Sequence, residues 1–293
     1  MPDPLVENAP AKVNLTLRVI GRRADGYHEI ESLVVFADYG DRLTLAPGEG
    51  LQLTVGGPRA AQAGPDADNL VLKAARALGE RMPGLQCGRF GLEKNLPAAA
   101  GIGGGSADAA AALRLLARAN ALSPDDPRLT EAARATGADV PVCLDPRPRL
   151  MCGIGERLSA ALVLPPLCAV LVNPGAAVAT KSVFAGWKPA AAPAAPAVPF
   201  DPAAVATADR LLDHLAAQPN DLEPAAIAIA PVIAEALAAL RKLPGCRLAR
   251  MSGSGATCFG LFDSSAAAHG AAQALGEKFP RWWVRACALG GGA

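Results

Sequence analysis

The segment Leu96-Pro97-Ala98-Ala99-Ala100-Gly101-Ile102-Gly103-Gly104-Gly105-Ser106-Ala107-Asp108 sets four glycines ahead of an alanine-rich run. Glycines accept positive φ and expose consecutive backbone N–H groups, and a helix start adds roughly half a positive charge. A loop of this kind suits the phosphates of a nucleotide. Its plainer reading is a flexible loop closed by Ser106 as a helix N-cap. Asp139 stands in the apolar setting Gly137-Ala138-Asp139-Val140-Pro141, where a lone carboxylate is either a turn former or a proton acceptor. Lys12 and Asn14 fall on one face of a strand under a period of two, so both could enter one cleft; alternatively, Lys12 is a solvated lysine at a strand start. Tyr27, beside His28, is one of only two tyrosines and offers either a stacking surface or a half-buried loop aromatic.

Other phosphate-binding patterns are excluded. Nothing matches Gly-x-x-x-x-Gly-Lys-Ser/Thr. A dinucleotide fingerprint needs glycine at 106 or 108, where Ser106 and Asp108 stand. Neither the His-Arg-Asp nor the Asp-Phe-Gly signature of protein kinases occurs.

The elements that must position these residues follow from periodicity. Residues 11–20 read as a half-buried strand, residues 21–28 as a turn, and 30–37, 41–45, 51–55 and 90–92 as further strands. Helical spacing covers 69–81, and an interior helix covers 106–122, where alanine lets neighbouring backbones approach closely. A buried strand is expected at 168–173 and helices near 202–216 and 226–242. A Gly/Ser turn at 252–255, a strand at 257–262, a helix at 264–278 and a strand near 282–289 complete the chain. Proline recurs too often in 188–199 for regular structure, which predicts an exposed loop.

At 293 residues the chain is long enough for two packed domains. Lys plus Arg number 28 against 27 Asp plus Glu, without the basic surplus of a nucleic-acid binder, so no nucleic-acid partner is expected. No apolar run of membrane-spanning length and no secretory leader pattern occur, so no membrane partner is expected. Seven scattered cysteines without metal spacing predict reduced thiols in a cytoplasmic protein.

The segment from Pro97 to Ser106 resembles the second motif of the GHMP kinases (galactokinase, homoserine kinase, mevalonate kinase, phosphomevalonate kinase), with Ile102 where leucine is usual. Four further segments are similar to one member of that family: Ala9–Leu15, Arg23–His28, Gly137–Pro141 and Arg250–Ala256. Asn220-Asp221-Leu222-Glu223 is a lesser signature of the same member. The resemblance implies an α+β, two-domain protein. Residues 1–155 would form an ATP-binding unit like ribosomal protein S5 domain 2, and 156–293 a ferredoxin-like α/β sandwich, with the active site in the cleft between them. It implies ATP-dependent phosphorylation of a hydroxyl on a small molecule that carries a cytidine diphosphate group; the alternative is another small-molecule kinase of the homoserine or mevalonate type.

In that scheme Asp139 is the general base and Lys12 offsets its charge and that of the transition state. ATP would be held by Pro97, Ala98, Ala99, Ala100, Gly101, Ile102, Gly103, Gly104, Gly105, Ser106 and Ala107, with Asn69 and Lys94. The acceptor would meet Asn14, Tyr27, His28, Thr180, Phe184, Gly253 and Ser254, its base stacked between Tyr27 and Phe184. Mg²⁺ would take Ser106 as a ligand, with Glu131 a guess for its acidic partner. The implied state is a monomer or weak homodimer.

Overall fold

In the computed structural model, residues 3–65, 68–189, 200–201 and 205–290 are described. From residue 190 on, the expected Pro/Ala-rich loop lies outside them, as does the start of the expected 202–216 helix. In chain order the elements are β1 (Leu5–Asn14), β2 (Arg18–Arg22), β3 (His28–Gly48), β4 (Leu51–Gly56), α1 (Leu70–Arg81), β5 (Cys87–Glu93), α2 (Gly104–Ala119), α3 (Pro127–Thr136), α4 (Val140–Leu144), β6 (Arg149–Gly153) and β7 (Arg157–Leu158). They continue with β8 (Leu167–Asn173), α5 (Thr180–Gly186), α6 (Ala208–Ala216), α7 (Glu223–Ile229), α8 (Val232–Arg241), β9 (Cys246–Met251), β10 (Cys258–Phe262), α9 (Ser265–Lys278) and β11 (Trp283–Leu289). A single 3₁₀ turn spans Ala60–Gln62.

The chain forms two compact units. One comprises Met1–Lys12, Tyr39–Ala98 and Gly103–Pro146; the other comprises Val13–Asp38, Ala99–Ile102 and Arg147–Ala293. In the first unit, β5 pairs antiparallel with β3 and parallel with β4, and α1 supplies the crossover that a parallel pair requires. Phe90 and Leu92 of β5 face Leu45 and Leu43 of β3, and all four are buried, while their neighbours along β5 alternate outward. Against this core lies α2, buried from Ala107 to Ala117 except at Arg114. Its alanines let α1 and α4 pack closely on it.

In the second unit, β11, β8, β10 and β9 lie side by side, all antiparallel, with α8 and α9 packed on them. Numbered among these four strands in chain order, that order is fourth, first, third, second, the split βαβ arrangement of ferredoxin-like folds. Its centre is apolar: Phe259 of β10 opposes Leu171 of β8, both wholly buried. The 28–38 portion of β3 pairs with β2 and β6, and Ala37 meets Leu289 of β11.

Four sequence expectations change. The strand expected over 11–20 is broken at 15–17, where Leu15 N donates to Leu33 O and Leu17 N to Pro219 O. The strands expected at 30–37 and 41–45 are one, because the polar stretch between them is held: Ala288 N donates to Asp38 Oδ1, and glycine at 40 permits close backbone approach. The helix expected at 226–242 is two, with Pro231 starting the second where its missing N–H costs nothing. Helix α2 starts at Gly104 rather than Ser106.

A Cβ at Gly40 would sit 2.2 Å from Ala9 O, whereas one at Gly48 meets nothing within 4 Å. Both lie on β3, so chemical or thermal unfolding separates packing from propensity. Gly40→Ala should lose about 3 kcal/mol or more, and Gly48→Ala should stay within about 1 kcal/mol of the parent.

Candidate active site

In the first unit, Lys12 near the end of β1 is 3% exposed, and its Nζ donates to Asp139 Oδ2 at 2.9 Å. Asp139 is the N-cap residue of α4, whose first turn holds Pro141; proline needs no N–H partner there, so the helix starts where the sequence sets it. The stem of Lys12 runs along the glycine loop: a Cβ on Gly103 would lie 3.2 Å from both Cβ and Cε of Lys12. Gly103 has φ 62°, the left-handed region, so only glycine joins that backbone to that contact without strain. Because α2 begins at Gly104, the amides of Gly104, Gly105 and Ser106 are first-turn donors with no intrahelical acceptor. They bring the positive end of the helix to the same place as the Lys12–Asp139 pair.

Beneath the loop lies a second buried lysine. Lys94 donates to Asp41 and, at 2.7 Å, to Asp108 Oδ2, and all three side chains are within 5% of complete burial. Its Nζ would be 3.5 Å from a Cβ on Gly104. Asp41 Oδ1 also accepts from Asn95 N at 2.5 Å and Leu96 N at 2.8 Å, which fixes the chain entering Pro97. Two carboxylates share one ammonium here. Burial, only partly offset by Lys94 and reinforced by Asp41, raises the Asp108 pKa to about 8. Asn69 caps α1 by accepting from Val71 N at 3.0 Å, and the next residue, Leu70, is 3.3 Å from the Cβ position of Gly105.

Asp41, Asp108 and Asp139 are each taken by a lysine, and Glu131 is paired with Arg81 at 3.5 Å. Among the described residues no group of three acidic, His or Cys side chains could hold a metal on its own. Ser106, half-buried in the first turn of α2, is the oxygen donor that the sequence reading assigned to the metal. That suits a magnesium ion carried in mainly by phosphates, the usual mode for this cation. Cys143, wholly buried close to Lys12 and Asp139, has its thiol pushed up to about 12 by burial, so it stays protonated.

In the second unit, the turn at 252–255 grips the first part of the glycine segment. Ser252 Oγ donates to Gly101 O at 2.9 Å and accepts from Asn14 N at 3.1 Å, while Thr257 N donates to Ala100 O. A Cβ on Gly101 would lie 2.6 Å from Ser252 O, and one on Gly253 would lie 2.9 Å from Gly101 O. Asn220 holds the turn from behind, its Nδ2 donating to Met251 O and Gly253 O, both at 2.8 Å. Asn14 Nδ2 donates to Ser32 Oγ at 2.7 Å, which leaves Asn14 Oδ1 buried without a partner. Thr180 Oγ1 lies 2.9 Å from Ser254 Oγ.

The aromatic group is arranged differently from the expected sandwich. His28 itself stacks on Phe184 (5.1 Å between centroids, 29°) and meets the edge of Trp187 at 5.6 Å, while Tyr27 is 61% exposed. Burial, then Arg22, lowers the His28 pKa, so its imidazole is neutral at pH 7.

Asp41, Asp108, Ser32, Ser252 and Trp187 escaped the sequence reading as members of these groups. Asp108 carried a signal, being a lone carboxylate in an alanine run, and so did Trp187, three residues after Phe184 at helical spacing. Asp41 and Ser32 carried none, since polar residues in strands usually face water. Lys94→Met would leave the buried acids Asp41 and Asp108 without a cation, and a loss of about 3–5 kcal/mol in denaturant unfolding is expected; the triple variant adding Asp41→Asn and Asp108→Asn should recover most of it.

Comparison with known proteins places these residues in context. The family model described as "GHMP kinases N terminal domain" matches residues 69–145, and that described as "GHMP kinases C terminal" matches 202–281. A protein of Rhodopseudomonas palustris named 4-diphosphocytidyl-2-C-methyl-D-erythritol kinase is 59% identical over 97% of each chain. One of the same name from Methylobacterium radiotolerans is 60% identical over 96% of this chain and 97% of its own. A crystal structure of 4-(cytidine 5'-diphospho)-2C-methyl-D-erythritol kinase superposes with TM-score 0.79 at 37% identity, covering 98% of this chain and 100% of the other. Homoserine kinase from Cytophaga hutchinsonii, at 21% identity and TM-score 0.72, shares the fold over 98% of this chain and 95% of its own. With both halves matched in order and relatives this similar over nearly their whole length, the chain belongs to the GHMP kinase family.

Proposed function

We propose that this chain transfers the γ-phosphoryl group of ATP to the 2-hydroxyl of 4-diphosphocytidyl-2-C-methyl-D-erythritol, a step toward isoprenoid precursors, in the cytoplasm. The observation that carries the chemistry is the buried Lys12 ammonium, 2.9 Å from Asp139 and packed along Gly103 at the mouth of α2. The acceptor assignment is supported by relatives of that name and by the group of His28, Phe184 and Trp187, which suits a flat base. Seven free cysteines fit a reducing compartment.

Phosphoryl transfer asks little covalent work of the protein, so positioning and electrostatics dominate. The first-turn amides of Gly104, Gly105 and Ser106, with the backbone of residues 97–103, hold the triphosphate; Asn69 and Lys94 support the loop from below. Asp139 accepts the proton of the attacking hydroxyl, and Lys12 compensates the negative charge that builds on the transferring oxygens. The unpartnered Asn14 Oδ1 is an acceptor suited to a hydroxyl of the substrate. Tyr27 supplies a stacking face for the cytosine, with His28 and Phe184 beside it. Thr180, Gly253 and Ser254 line the acceptor end. Ser106 would hold in part a Mg²⁺ ion brought in with ATP, which would supply neutralisation of phosphate charge. The protein acts as a monomer or weak homodimer.

ADP release measured with the cytidylyl acceptor, homoserine and mevalonate in parallel tests the assignment; turnover with homoserine or mevalonate alone would overturn it. Asp139→Asn should keep ATP binding by titration calorimetry and lower kcat by about 10²-fold or more. Tyr27→Ala should remove one base stack, worth about 1–3 kcal/mol. It should therefore raise the acceptor KM by roughly ten-fold or more while the ATP KM holds; a selective loss of ATP affinity would place Tyr27 at the other substrate.

A further inference from the structure

Arg114 interrupts the buried stretch of α2 with a half-buried charged side chain, and donors partly drawn from water gain from direct partners. Its Nε donates to Glu7 Oε2 at 3.0 Å and its Nη2 to Asn8 O at 2.7 Å, both on β1. Its Nη1 donates to Cys143 O at 2.8 Å and, more weakly, to Leu144 O at 3.5 Å, at the end of α4. Those carbonyls are the ones a helix cannot satisfy itself, and a cation is favoured beside them. Arg118, one turn further along α2, reaches only β1, at Val6 O (3.0 Å) and Glu7 Oε1 (2.9 Å). The two elements joined by Arg114 are the ones that bear the reacting pair: β1 carries Lys12, and α4 begins at Asp139.

We propose that Arg114 is a positioning residue for the Lys12–Asp139 pair, its planar fork fixing the strand of one against the helix of the other. This deepens the reading of that pair as the phosphoryl-transfer centre and rests on it. Helix α4 has five residues, too few to persist without outside contacts, so the place of Asp139 depends on what holds the helix end. Arg114 lies ten residues beyond Gly104, about 15 Å along the axis at 1.5 Å per residue, so it acts through the pair and touches no reacting atom. Lysine keeps the charge but lacks the fork that spans four acceptors on two elements.

The test is steady-state kinetics of the full chain with ATP and the cytidylyl acceptor, alongside thermal unfolding, for Arg114→Lys, Arg114→Met and Arg118→Ala. Misplacing a catalytic group by an ångström costs on the order of 10²-fold. Both Arg114 variants should therefore lose about 10- to 100-fold in kcat at unchanged KM for either substrate. Arg118→Ala should keep kcat. In an Asp139→Asn background, Arg114→Lys should add no further loss, because the pair is already broken. A parental kcat in folded Arg114→Lys, a change confined to KM, or a full additional loss in the Asp139→Asn background would each overturn the proposal. Should neither Arg114 variant fold, Glu7→Gln, which weakens the β1 side of the clamp alone, decides: lower kcat at constant KM supports it and unchanged kcat overturns it. An Asp139→Asn chain that turns over at the parental rate sinks the catalytic reading itself, whereas an impaired Asp139→Asn beside a parental Arg114→Lys sinks only the positioning role.

Discussion

An ammonium group taken out of water must be met by carboxylates or lose its charge, and around its glycine loop this chain does so twice. Lys12 is answered by Asp139 and Lys94 by Asp41 and Asp108. The two lysines flank the same few residues, one along Gly103 and one beneath Gly104. They set two buried, carboxylate-paired ammonium groups beside the first-turn amides of α2. The pairs differ in balance. Lys12 and Asp139 cancel, with the carboxylate reaching toward solvent, whereas the Lys94 group holds one acid too many and burial raises the Asp108 pKa.

The small residues follow from that constraint. A side chain at 103 would strike the stem of Lys12, and one at 101 would strike the carbonyls of the 252–255 turn. Glycine is required at those two points by contact as well as by positive φ. The alanines of α2 serve the same end over a longer range, letting α1 and α4 close on the helix and carrying Asp108 inward to Lys94. In the second unit the task passes to polar groups, as Asn220 and Ser252 hold the turn that Gly101 packs against.

Periodic, long elements were legible in the sequence: α1, α2, β8, β10 and α9 stand where their patterns place them to within a few residues. Elements governed by distant partners were not. Leu15–Leu17 keep a strand pattern yet leave β1, because their amides are drawn to residue 33 and residue 219. The polar stretch at 38–40 looks like a turn but continues β3, because a backbone donor from 288 meets Asp38. The glycine segment, Lys12 and Asp139 were visible as candidate chemistry. Asp41 and Ser32 were not, since nothing local distinguishes a polar strand residue that faces a buried partner from one that faces water.

The sequence by itself determined the family, the phosphate-suited loop before α2 and the identity of the ionisable groups beside it, because glycine spacing and residue type are local facts. That Lys94 is answered by Asp41 and Asp108, that α2 starts at Gly104, that His28 stacks on Phe184 and Trp187, and that Arg114 joins β1 to α4 were decided only by the tertiary structure. Each of these depends on groups far apart along the chain and brought together by burial, where the cost of an unmet charge or amide selects one arrangement.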